Sequence, residues 1–291
     1  MATAPSRQVL RSVSDTARLV AYHRRMESER PDAIFRDQHA GVLAGELGER
    51  ITRTLRWGTQ GAWSTIVRTA LFDELISKVL ADGQTDLVLN LAAGLDARPY
   101  RMEIPASVLW VDADLPEILA YKTEKLAGET PRCTLEQAAV DLTRTEDRRA
   151  LFARINERAG KVLVLSEGLL IYLTAEQVGS VAADLRVQSH VETWITDLVA
   201  PMVLRRMNRL LGKVLDGAGA KAQFAPPEGS AFFSRFGWRE AEFHDLVIES
   251  RRLRRPMPFD WMLRVQQSLF PRRFEKQYAK WKTGVVRLTP G

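Results

Sequence analysis

The sequence predicts an α/β protein with a doubly wound, Rossmann-like sheet of about seven strands, preceded by a helical segment and interrupted by a helical insertion. From residue 86 onward, short apolar runs alternate with helical windows, which is typical of a parallel sheet covered by helices on both faces. With 291 residues, 45% of them hydrophobic, the chain can bury the core that such a sheet requires. Polar residues also follow four of the apolar runs, where open α/β sheets bind ligands.

Residues 1–82 carry three helical patterns ahead of the first strand-like run. The patterns cover Ser14 to Glu29, residues 37–54, and Trp63 to Leu80, the last with apolar residues at three- and four-residue spacings. Asp37 is suited to cap the second helix. We expect this N-terminal segment to form part of the ligand pocket.

Seven apolar runs predict the strands of the sheet. Five of them fall in residues 83–199, the expected ligand-binding core, and these are Leu87 to Leu91, Ser107 to Val111, Leu135 to Val140, Val162 to Leu165, and Trp194 to Val199. Trp238 to Phe243 and Gly284 to Leu288 are expected to complete the sheet within residues 236–291, as an antiparallel, hairpin-like edge.

Three other stretches predict helices and a lid. Residues 148–160, RRALFARINERAG, have a helical pattern and end in Gly160, which suits the position after a helix. TAEQ matches a capping box in which Thr174 and Gln177 exchange hydrogen bonds at the start of the next helix. Residues 200–235 combine an amphipathic stretch with the turn-rich APPEGS, so we interpret them as a lid over one end of the sheet.

Small and acidic residues stand at the expected carboxyl ends of four strands. In chain order they are Ala92, Ala93, Gly94 and Asp96, then Asp112 and Asp114, then Asp141, and finally Ser166 and Glu167. A carboxylate near a core is costly unless it is hydrogen-bonded. The pattern therefore predicts a ligand site at this edge of the sheet.

The first turn argues against a dinucleotide. It has one glycine, Gly94, with an acid two residues later, whereas a G-x-G-x-x-G loop brings several backbone N–H groups to a pyrophosphate. Asp112 and Asp114 lie 18 and 20 residues beyond Gly94, near the spacing at which a carboxylate binds the hydroxyls of a ribose. Asp141 followed by Leu142 is then placed for an adenine. Adenosine without phosphates, joined to a cation, describes S-adenosyl-L-methionine.

Several motifs resemble those of the leucine carboxyl methyltransferase family. LNLAAGLDARPYR (89–101) resembles its LGAGLDTRxYR turn, and VDADLPEILAYK (111–122) resembles its EVDxPxVxxxK segment. VRTALFDELI (67–76) is similar to its RTRxxDDxL helix. VDL (140–142) is similar to its adenine-contacting DL, and SEGLLIYL (166–173) to its EGLLxYL segment.

The resemblance extends upstream into a bacterial branch of the family. Residues 14–46, SDTARLVAYHRRMESERPDAIFRDQHAGVLAGE, are similar to the N-terminal signature of the branch that includes tetracenomycin-type polyketide O-methyltransferases. Matches run from about Ser12 to Leu173, with a weaker echo in FFSRFGW (232–238). The resemblance implies a class I S-adenosyl-L-methionine-dependent O-methyltransferase that releases S-adenosyl-L-homocysteine. Its implied acceptor is a hydroxyl or carboxyl oxygen of a small molecule, for example a polyketide-like one.

The resemblance also implies a role for each matching residue. It assigns Arg68 to the carboxylate of the cofactor, Ala92, Ala93 and Gly94 to the methionine portion, Asp114 to the ribose, Asp141 and Leu142 to the adenine, and Glu167 to the amino group and the methyl-bearing sulfur.

Two residues depart from the family pattern. Ala92 replaces the first glycine of the turn, so an extra methyl group is expected to crowd the methionine backbone. Asp112 replaces a glutamate and is one methylene shorter, so we rank Asp114 above Asp112 for the ribose. Arg98 and Arg101 are expected to tie the turn to Asp96 or Asp114 rather than to contact substrate.

Plainer structural roles stay open for three of these residues. Arg68 could be a surface arginine beside Glu74, Asp141 could cap the following helix, and Glu167 could be an ordinary strand-end carboxylate.

The catalytic residues are not determined by the sequence. A carboxylate acceptor needs no general base, whereas a phenol or alcohol gains from one. Tyr22, His23 and Tyr172 are the candidate bases, with His190 and His244 as further titratable groups. Tyr172 could equally be a core residue, and Tyr22 and His23 could lie on an ordinary helix surface.

Composition limits the rival functions. The net charge of +6 and the pI of about 9.6 could mark an anionic partner, so an RNA methyltransferase or another nucleic-acid-binding protein is an alternative. We favour a solvated basic surface, because no aromatic residues interleave the arginine clusters. A protein-carboxyl methyltransferase and a cofactor-binding relative without turnover are the others. A nicotinamide-dependent oxidoreductase would need the absent glycine-rich phosphate turn.

Cysteine content and apolar run lengths bear on metals, disulfides and location. Cys133 is the only cysteine, which excludes an internal disulfide and a Cys-rich metal site, and its apolar context predicts a buried thiol. No metal site is expected. The apolar runs are too short for a membrane helix and the N-terminus lacks the apolar core of a signal peptide, so we expect a cytoplasmic protein without a membrane partner. We expect a monomer or a weak dimer that binds a small-molecule acceptor.

Overall fold

The computed structural model describes residues 13–55, 58–217, 221–278 and 280–291. The beginning of the family resemblance at Ser12, and parts of the expected N-terminal segment and lid, lie outside the described residues. Within the described ranges, no helix is both long enough and apolar enough to cross a membrane.

A single seven-stranded sheet organises the molecule. Its strands are β1 (Leu87–Leu91), β2 (Leu109–Asp114), β3 (Thr134–Ala139), β4 (Val162–Ser166), β5 (Val191–Leu198), β6 (Trp238–Asp245) and β7 (Gly284–Pro290). Their order is β3-β2-β1-β4-β5-β7-β6, with β1 to β5 parallel and β7 antiparallel to both of its neighbours. The predicted doubly wound α/β fold is confirmed. The strand order reverses between β1 and β4, which is the topological switch point where such sheets bind ligands.

Eleven α-helices are described, and they pack around the sheet and over one end of it. They are α1 (Val13–Ser28), α2 (Ala40–Thr54), α3 (Gly58–Leu80), α4 (Arg98–Arg101), α5 (Pro116–Lys125), α6 (Thr145–Arg158), α7 (Ala175–Arg186), α8 (Pro201–Gly217), α9 (Leu246–Arg252), α10 (Asp260–Leu269) and α11 (Pro271–Tyr278). Short 3-10 helices cover Leu170–Tyr172 and Gly229–Phe236.

Two helix caps were predicted from the sequence, of which one is confirmed and one is wrong. The capping box of α7 is confirmed, because Gln177 N–H donates to Thr174 Oγ1 at 3.1 Å and Thr174 N–H donates to Gln177 Oε1 at 2.8 Å. Asp37 does not cap α2, which begins only at Ala40. Its buried carboxylate pairs instead with Arg24 at 2.8 Å, so the charge is neutralised by a neighbouring helix.

Strand β2 extends further than predicted. The apolar run suggested an end at Val111, but pairing with β1 and β3 continues to Asp114. The strand continues because Asp112, although fully buried, is satisfied by the Lys122 ammonium at 2.6 Å and by the Trp110 indole N–H at 2.9 Å. A carboxylate with such partners does not have to end a buried strand.

Each face of the sheet buries its own apolar cluster. Alternation along β1 places Leu87, Leu89 and Leu91 in one cluster and Val88 in the other, which also contains the buried side of α3. Cys133 is buried in the α3-side cluster, as expected, and burial raises the pKa of its thiol to about 11.

Residues 200–235 divide between two environments. Phe232 and Phe233 are buried in the sheet core, where Phe233 meets Trp194 edge-on with ring centroids 5.2 Å apart. The later part of the expected lid therefore belongs to the core, and α8 is the part that lies over the ligand end of the sheet.

The last two strands are connected differently from the expectation. β6 and β7 pair antiparallel as predicted, but residues 246–283, which contain α9, α10 and α11, separate them in the chain. The edge is therefore not a hairpin. The arginine-rich sequence of this connection predicts a basic surface, and its three helices were not predicted.

Candidate functional site

A cavity of about 580 Å³ lies at the carboxyl ends of the central strands. Its wall combines residues from α1, α3, α8, the 3-10 helix Leu170–Tyr172 and the loops that follow β1 to β5. The volume is within the usual range of small-molecule sites. Its polar lining comes from three places: the turn after β1, the acids at the ends of β2 and β3, and a charged cluster between β4 and β5.

The turn after β1 brings backbone close to the cavity. Ala92 and Gly94 both have positive φ angles, 53° and 51°, in the left-handed region. Glycine adopts this conformation without steric cost, whereas alanine does so at a cost of about 1 to 2 kcal/mol. The positive φ angle explains why the family has a glycine at the position of Ala92. The alanine that replaces it here has a strained backbone.

The two acids of β2 have different environments. Asp114 lines the cavity, where its Oδ2 accepts from Gly94 N–H at 2.6 Å and its Oδ1 from Leu115 N–H at 2.7 Å. Burial raises the pKa of Asp114 above its usual value. Asp112 is fully buried, does not line the cavity, and accepts from Asn90, Trp110 and Lys122. Only Asp114 is therefore available to a ligand.

Asp141 and Leu142 form the cavity wall beyond β3. Asp141 Oδ1 accepts from Thr143 N–H at 2.9 Å and from Thr143 Oγ1 at 2.6 Å, so this carboxylate organises a tight turn. It does not cap the next helix, whose first residue is Thr145. Leu142 is buried and apolar, and with Val140 it offers a surface on which a flat ring can pack.

A charged cluster joins α3, β4 and β5. Arg68 Nε donates to Glu167 Oε1 at 3.0 Å, Arg68 Nη1 donates to Asp197 Oδ2 at 3.3 Å, and Arg98 Nη2 lies 2.8 Å from Glu167 Oε2. Arg68 is thus no surface arginine beside Glu74, which pairs with Arg252 instead. Glu167 holds two guanidinium groups in place, more than an ordinary strand-end carboxylate does.

The cluster shifts the pKa values of its acids in opposite directions. Burial by itself favours the protonated form of Glu167, but Arg98 and Arg68 outweigh it and the pKa lies below its usual value. Burial raises the pKa of Asp197, because among the described residues only one guanidinium group, that of Arg68, pairs with it, and the nearby Glu167 carboxylate raises the pKa further. Asp197 Oδ1 also accepts from Gly168 N–H at 2.6 Å. Glu167 is therefore a persistent negative charge in the cavity wall.

Of the ion pairs expected for Arg98 and Arg101, the one from Arg98 to Asp96 is confirmed and the one from Arg101 is not. Arg98 Nη1 donates to Asp96 Oδ2 at 2.7 Å, as predicted, and its Nε donates to Asp73 at 2.7 Å. Arg101 does not reach Asp96 or Asp114, because both of its terminal nitrogens donate to Asp73, at 2.7 and 2.8 Å. Asp73 lies on α3, so the pair anchors the β1 turn to that helix.

The three candidate bases differ in whether they line the cavity. Tyr172 lines the cavity, hydrogen-bonds with Thr16, and has its pKa raised by burial. His23 does not line the cavity; it is buried behind it, with Nδ1 3.2 Å from Thr65 Oγ1, and burial lowers its pKa to about 4. Tyr22 also lies outside the cavity, packed against the α1–α2 apolar cluster.

The two other histidines lie elsewhere. His190 Nδ1 is 2.8 Å from the carbonyl oxygen of Asn156, beside the start of β5 and so at the opposite end of the sheet. His244 lies between Glu242 and Glu249. Tyr172 is the candidate base that the structure brings to the cavity.

Several cavity residues were missed by sequence reasoning. They are Thr16 of α1, Ser64 and Thr65 of α3, Asp197 of β5, and Val203 and Met207 of α8. Asp197 had a usable signal, since it is an acid near the end of a predicted strand. The others carry no such signal, because hydroxyl and apolar residues are common on any amphipathic helix.

The chemistry of the lining fits the cofactor expected from the sequence. A positive-φ turn exposes backbone, and a Cβ built on Gly94 would point toward Ala17 of α1, 3.5 Å away, in the cavity wall. Asp114 and Asp141 supply carboxylate oxygens on one side, and Arg68 and Glu167 supply opposite charges on the other. A zwitterionic ligand with a ribose and an adenine needs these groups.

Comparison with known proteins agrees with this assignment. A Parafrankia sp. (strain EAN1pec) protein, 31% identical over 273 residues that cover 84% of this chain and 83% of the relative, is named for S-adenosyl-L-methionine-dependent methyl transfer. A Mycolicibacterium paratuberculosis (strain ATCC BAA-968 / K-10) protein with the same description is 32% identical over 284 residues, covering 85% of this chain and 86% of the relative.

Solved structures share the fold. A DUF574 family protein from Streptomyces avermitilis superposes with a TM-score of 0.59 at 11% identity, covering 95% of this chain and 97% of its own. A Thermobifida fusca YX structure described as a methyltransferase gives 0.55 at 14% identity, covering 99% of both chains. The profile of the leucine carboxyl methyltransferase family matches residues 17–186, more than half of the chain. The chain therefore belongs to the leucine carboxyl methyltransferase family of S-adenosyl-L-methionine-dependent methyltransferases.

Proposed function

We propose that the protein is an O-methyltransferase that transfers a methyl group to a hydroxyl or carboxyl oxygen of a small, polyketide-like molecule. The observation that carries the proposal is the division of one cavity into a polar, charged half at the strand ends and an apolar half beneath α1 and α8. The first half suits the cofactor. The second half is lined by apolar side chains of α1 and α8 and suits a small apolar acceptor better than a folded protein or an RNA duplex.

The proposed cofactor contacts follow the geometry of the lining. Asp114 would accept from the ribose hydroxyls, Asp141 and Leu142 would hold the adenine, and the Ala92–Gly94 turn would contact the methionine portion, since all of these residues line the cavity. Arg68 pairs with the cofactor carboxylate, for which it must share or exchange its contact with Asp197. Glu167 remains ionised because two guanidinium groups hold it, so it can accept from an ammonium.

Positioning is the main task that this chemistry sets for the chain. When bound, S-adenosyl-L-methionine supplies a methyl group on a positively charged sulfur. Charge is neutralised on transfer, so the rate depends on holding the acceptor oxygen in line with that methyl group and on excluding water. Glu167 provides a negative charge at that end of the cavity. Val203 and Met207 of α8 and Val20 of α1 close the apolar side.

Tyr172 is the candidate for handling an acceptor proton. Because burial raises the pKa of Tyr172, its hydroxyl is protonated at neutral pH and would donate a hydrogen bond to the acceptor oxygen. It could take the proton of a hydroxyl acceptor only after losing its own proton to solvent, which a higher pH favours. A phenol acceptor, with a pKa of about 10, has to lose its proton before or during attack, whereas a carboxylate is already ionised. The pH dependence of the rate therefore distinguishes the two acceptor types.

A screen with radiolabelled S-adenosyl-L-methionine tests the proposal. The acceptors are phenolic polyketides, aromatic acids, short peptides ending in a free carboxylate, and total RNA. We expect label in the phenols or the aromatic acids. With a phenol the rate at limiting acceptor should rise with pH, and with a carboxylate it should stay flat from about pH 6 to 9. Labelling of the peptides or the RNA alone would refute the small-molecule assignment.

A further inference from the structure

Helix α10 presents an apolar stripe to solvent. At about 100° per residue, Trp261, Val265, Leu269 and Met262 fall within an arc of about 100°. Trp261 and Leu269 are each 65% exposed, and Met262 and Val265 about half exposed. Scattered single apolar residues on a surface need no explanation, but an aligned group on one helix does.

The opposite side of α10 is the side that packs on the protein. Asp260 is buried and pairs with Arg251 of α9 at 2.8 Å. Gln267, nearly in line with Asp260 on the helix, faces a small cleft shared with Ile248 of α9 and Phe274 of α11. The apolar stripe therefore points away from the body of the molecule. Phe259 and Phe270, at the two ends of α10, are also exposed, by 63% and 57%.

The stripe lies in the most basic part of the chain. Residues 251–282 contain ten Lys and Arg against two Asp and Glu, a net charge of +8, whereas the whole chain has +6. Three of the arginines, Arg251, Arg252 and Arg255, form ion pairs within the protein. Four exposed ones form no ion pair with any described residue, and these are Arg254, Arg264, Arg272 and Arg273.

The unpaired arginines determine what can cover the stripe. A second copy of the chain related by twofold symmetry would bring these arginines near their own equivalents, which is unfavourable. A membrane of anionic lipids can bury the tryptophan, leucine and phenylalanine side chains at the boundary between headgroups and acyl chains, and its negative headgroups can pair with the arginines. Helices with Trp, Leu and Phe on one face and basic residues beside it lie in the plane of such an interface.

We propose that α10, with the basic residues that flank it, is a docking surface for anionic lipid membranes, which the protein binds peripherally. The proposal is independent of the methyl acceptor. It departs from the expectation of no membrane partner, which rested on the absence of a spanning segment and does not concern a surface helix.

Vesicle co-sedimentation with the full chain tests the docking surface. The probes are phosphatidylcholine vesicles with and without about 30% phosphatidylglycerol. We expect binding only to the anionic vesicles, weakened by salt. A Trp261→Ser/Leu269→Ser double variant should lose at least about tenfold in partitioning, since binding strength follows the apolar area that enters the interface. An Arg272→Gln/Arg273→Gln variant should lose affinity for the anionic vesicles as well.

A matched control removes two exposed valines outside the stripe. Val42→Ser/Val187→Ser should bind the vesicles like the unaltered chain, and calorimetric titration with S-adenosyl-L-homocysteine should show that every variant is folded. Equal vesicle binding by all variants, or none by the unaltered chain, would overturn the proposal. A concentration-dependent dimer in analytical ultracentrifugation that Trp261→Ser/Leu269→Ser abolishes would overturn it too, because a second copy would then cover the stripe.

Discussion

The backbone strain at Ala92 can be tested by removing its methyl group. Its φ of 53° is costly for alanine, so Ala92→Gly should raise the free energy of unfolding by up to about 1 kcal/mol, the relief of strain being offset in part by the greater freedom of glycine in the unfolded chain. Affinity for S-adenosyl-L-homocysteine should stay the same or rise. Urea unfolding and calorimetric titration measure the two quantities.

The neighbouring alanine is the control for this substitution. Ala93 is not among the positive-φ residues of the described chain, so Ala93→Gly should lower the free energy of unfolding by about 0.5 to 1 kcal/mol. Equal destabilisation by both glycine substitutions would mean that Ala92 is not strained, and markedly weaker cofactor binding by Ala92→Gly would mean that its methyl group makes a useful contact.

The two acids of β2 should separate binding from stability. Asp114→Ala removes the proposed ribose acceptor and should weaken S-adenosyl-L-homocysteine binding by about 1.5 to 3 kcal/mol. Asp112→Ala leaves the buried Lys122 ammonium without its partner and should instead destabilise the fold by about 3 to 5 kcal/mol, with a smaller loss of affinity in the folded protein. Calorimetric titration and urea unfolding of both variants measure the two effects. A larger loss of affinity in Asp112→Ala than in Asp114→Ala would show that Asp112 binds the ribose.

His23 should make the protein sensitive to mild acid. Burial lowers its pKa to about 4 in the folded state against 6.5 in the unfolded state, so between these values the unfolded chain binds a proton that the folded chain does not. The free energy of unfolding should therefore fall as the pH drops from about 6.5 to 4, by up to about 3 kcal/mol from this residue. His23→Gln should flatten that part of the profile in urea unfolding at several pH values. An unchanged slope would show that His23 is not held neutral.

At the level of elements, α8 should set the size of the acceptor site. Met207 lines the cavity, so Met207→Ala should raise the KM for the acceptor by about tenfold while leaving S-adenosyl-L-homocysteine affinity unchanged. Leu210 lies on the same helix and is about half exposed, and Leu210→Ala should change neither quantity. A loss of cofactor affinity in Met207→Ala would place α8 over the cofactor instead.

The elements around the β1 turn explain why the N-terminal helices matter to the site. Arg24 of α1 donates to the carbonyl oxygen of Leu95, and Asp73 of α3 holds Arg98 and Arg101. The helical patterns of this segment could be predicted from apolar spacing. Its attachment to the turn could not, because it depends on buried ion pairs between elements, which no local pattern reports.

For the whole molecule, cofactor binding should be visible as a change in stability. S-adenosyl-L-methionine and S-adenosyl-L-homocysteine should raise the melting temperature, since a ligand at 100 times its Kd adds about 2.7 kcal/mol to the free energy of unfolding. NAD should not, because the β1 turn offers one glycine and an acid where a pyrophosphate needs N–H donors. Stabilisation by NAD alone in a thermal-shift assay would contradict the cofactor assignment.

The sequence by itself determined the order of the strands, the helices of the N-terminal segment, the single-glycine turn, and the acids at the strand ends, because each depends on the spacing of residues close together in the chain. The tertiary structure decided which of those residues face the cavity. It placed Asp114 and Tyr172 in the lining, kept Asp112, Tyr22 and His23 out of it, and inserted three helices between β6 and β7. Arg68 reaches Glu167 across 99 positions of the chain and Asp197 across 129. Contacts over such separations exist only after the sheet has formed, because parallel strands bring their carboxyl ends to one edge whatever the length of chain between them.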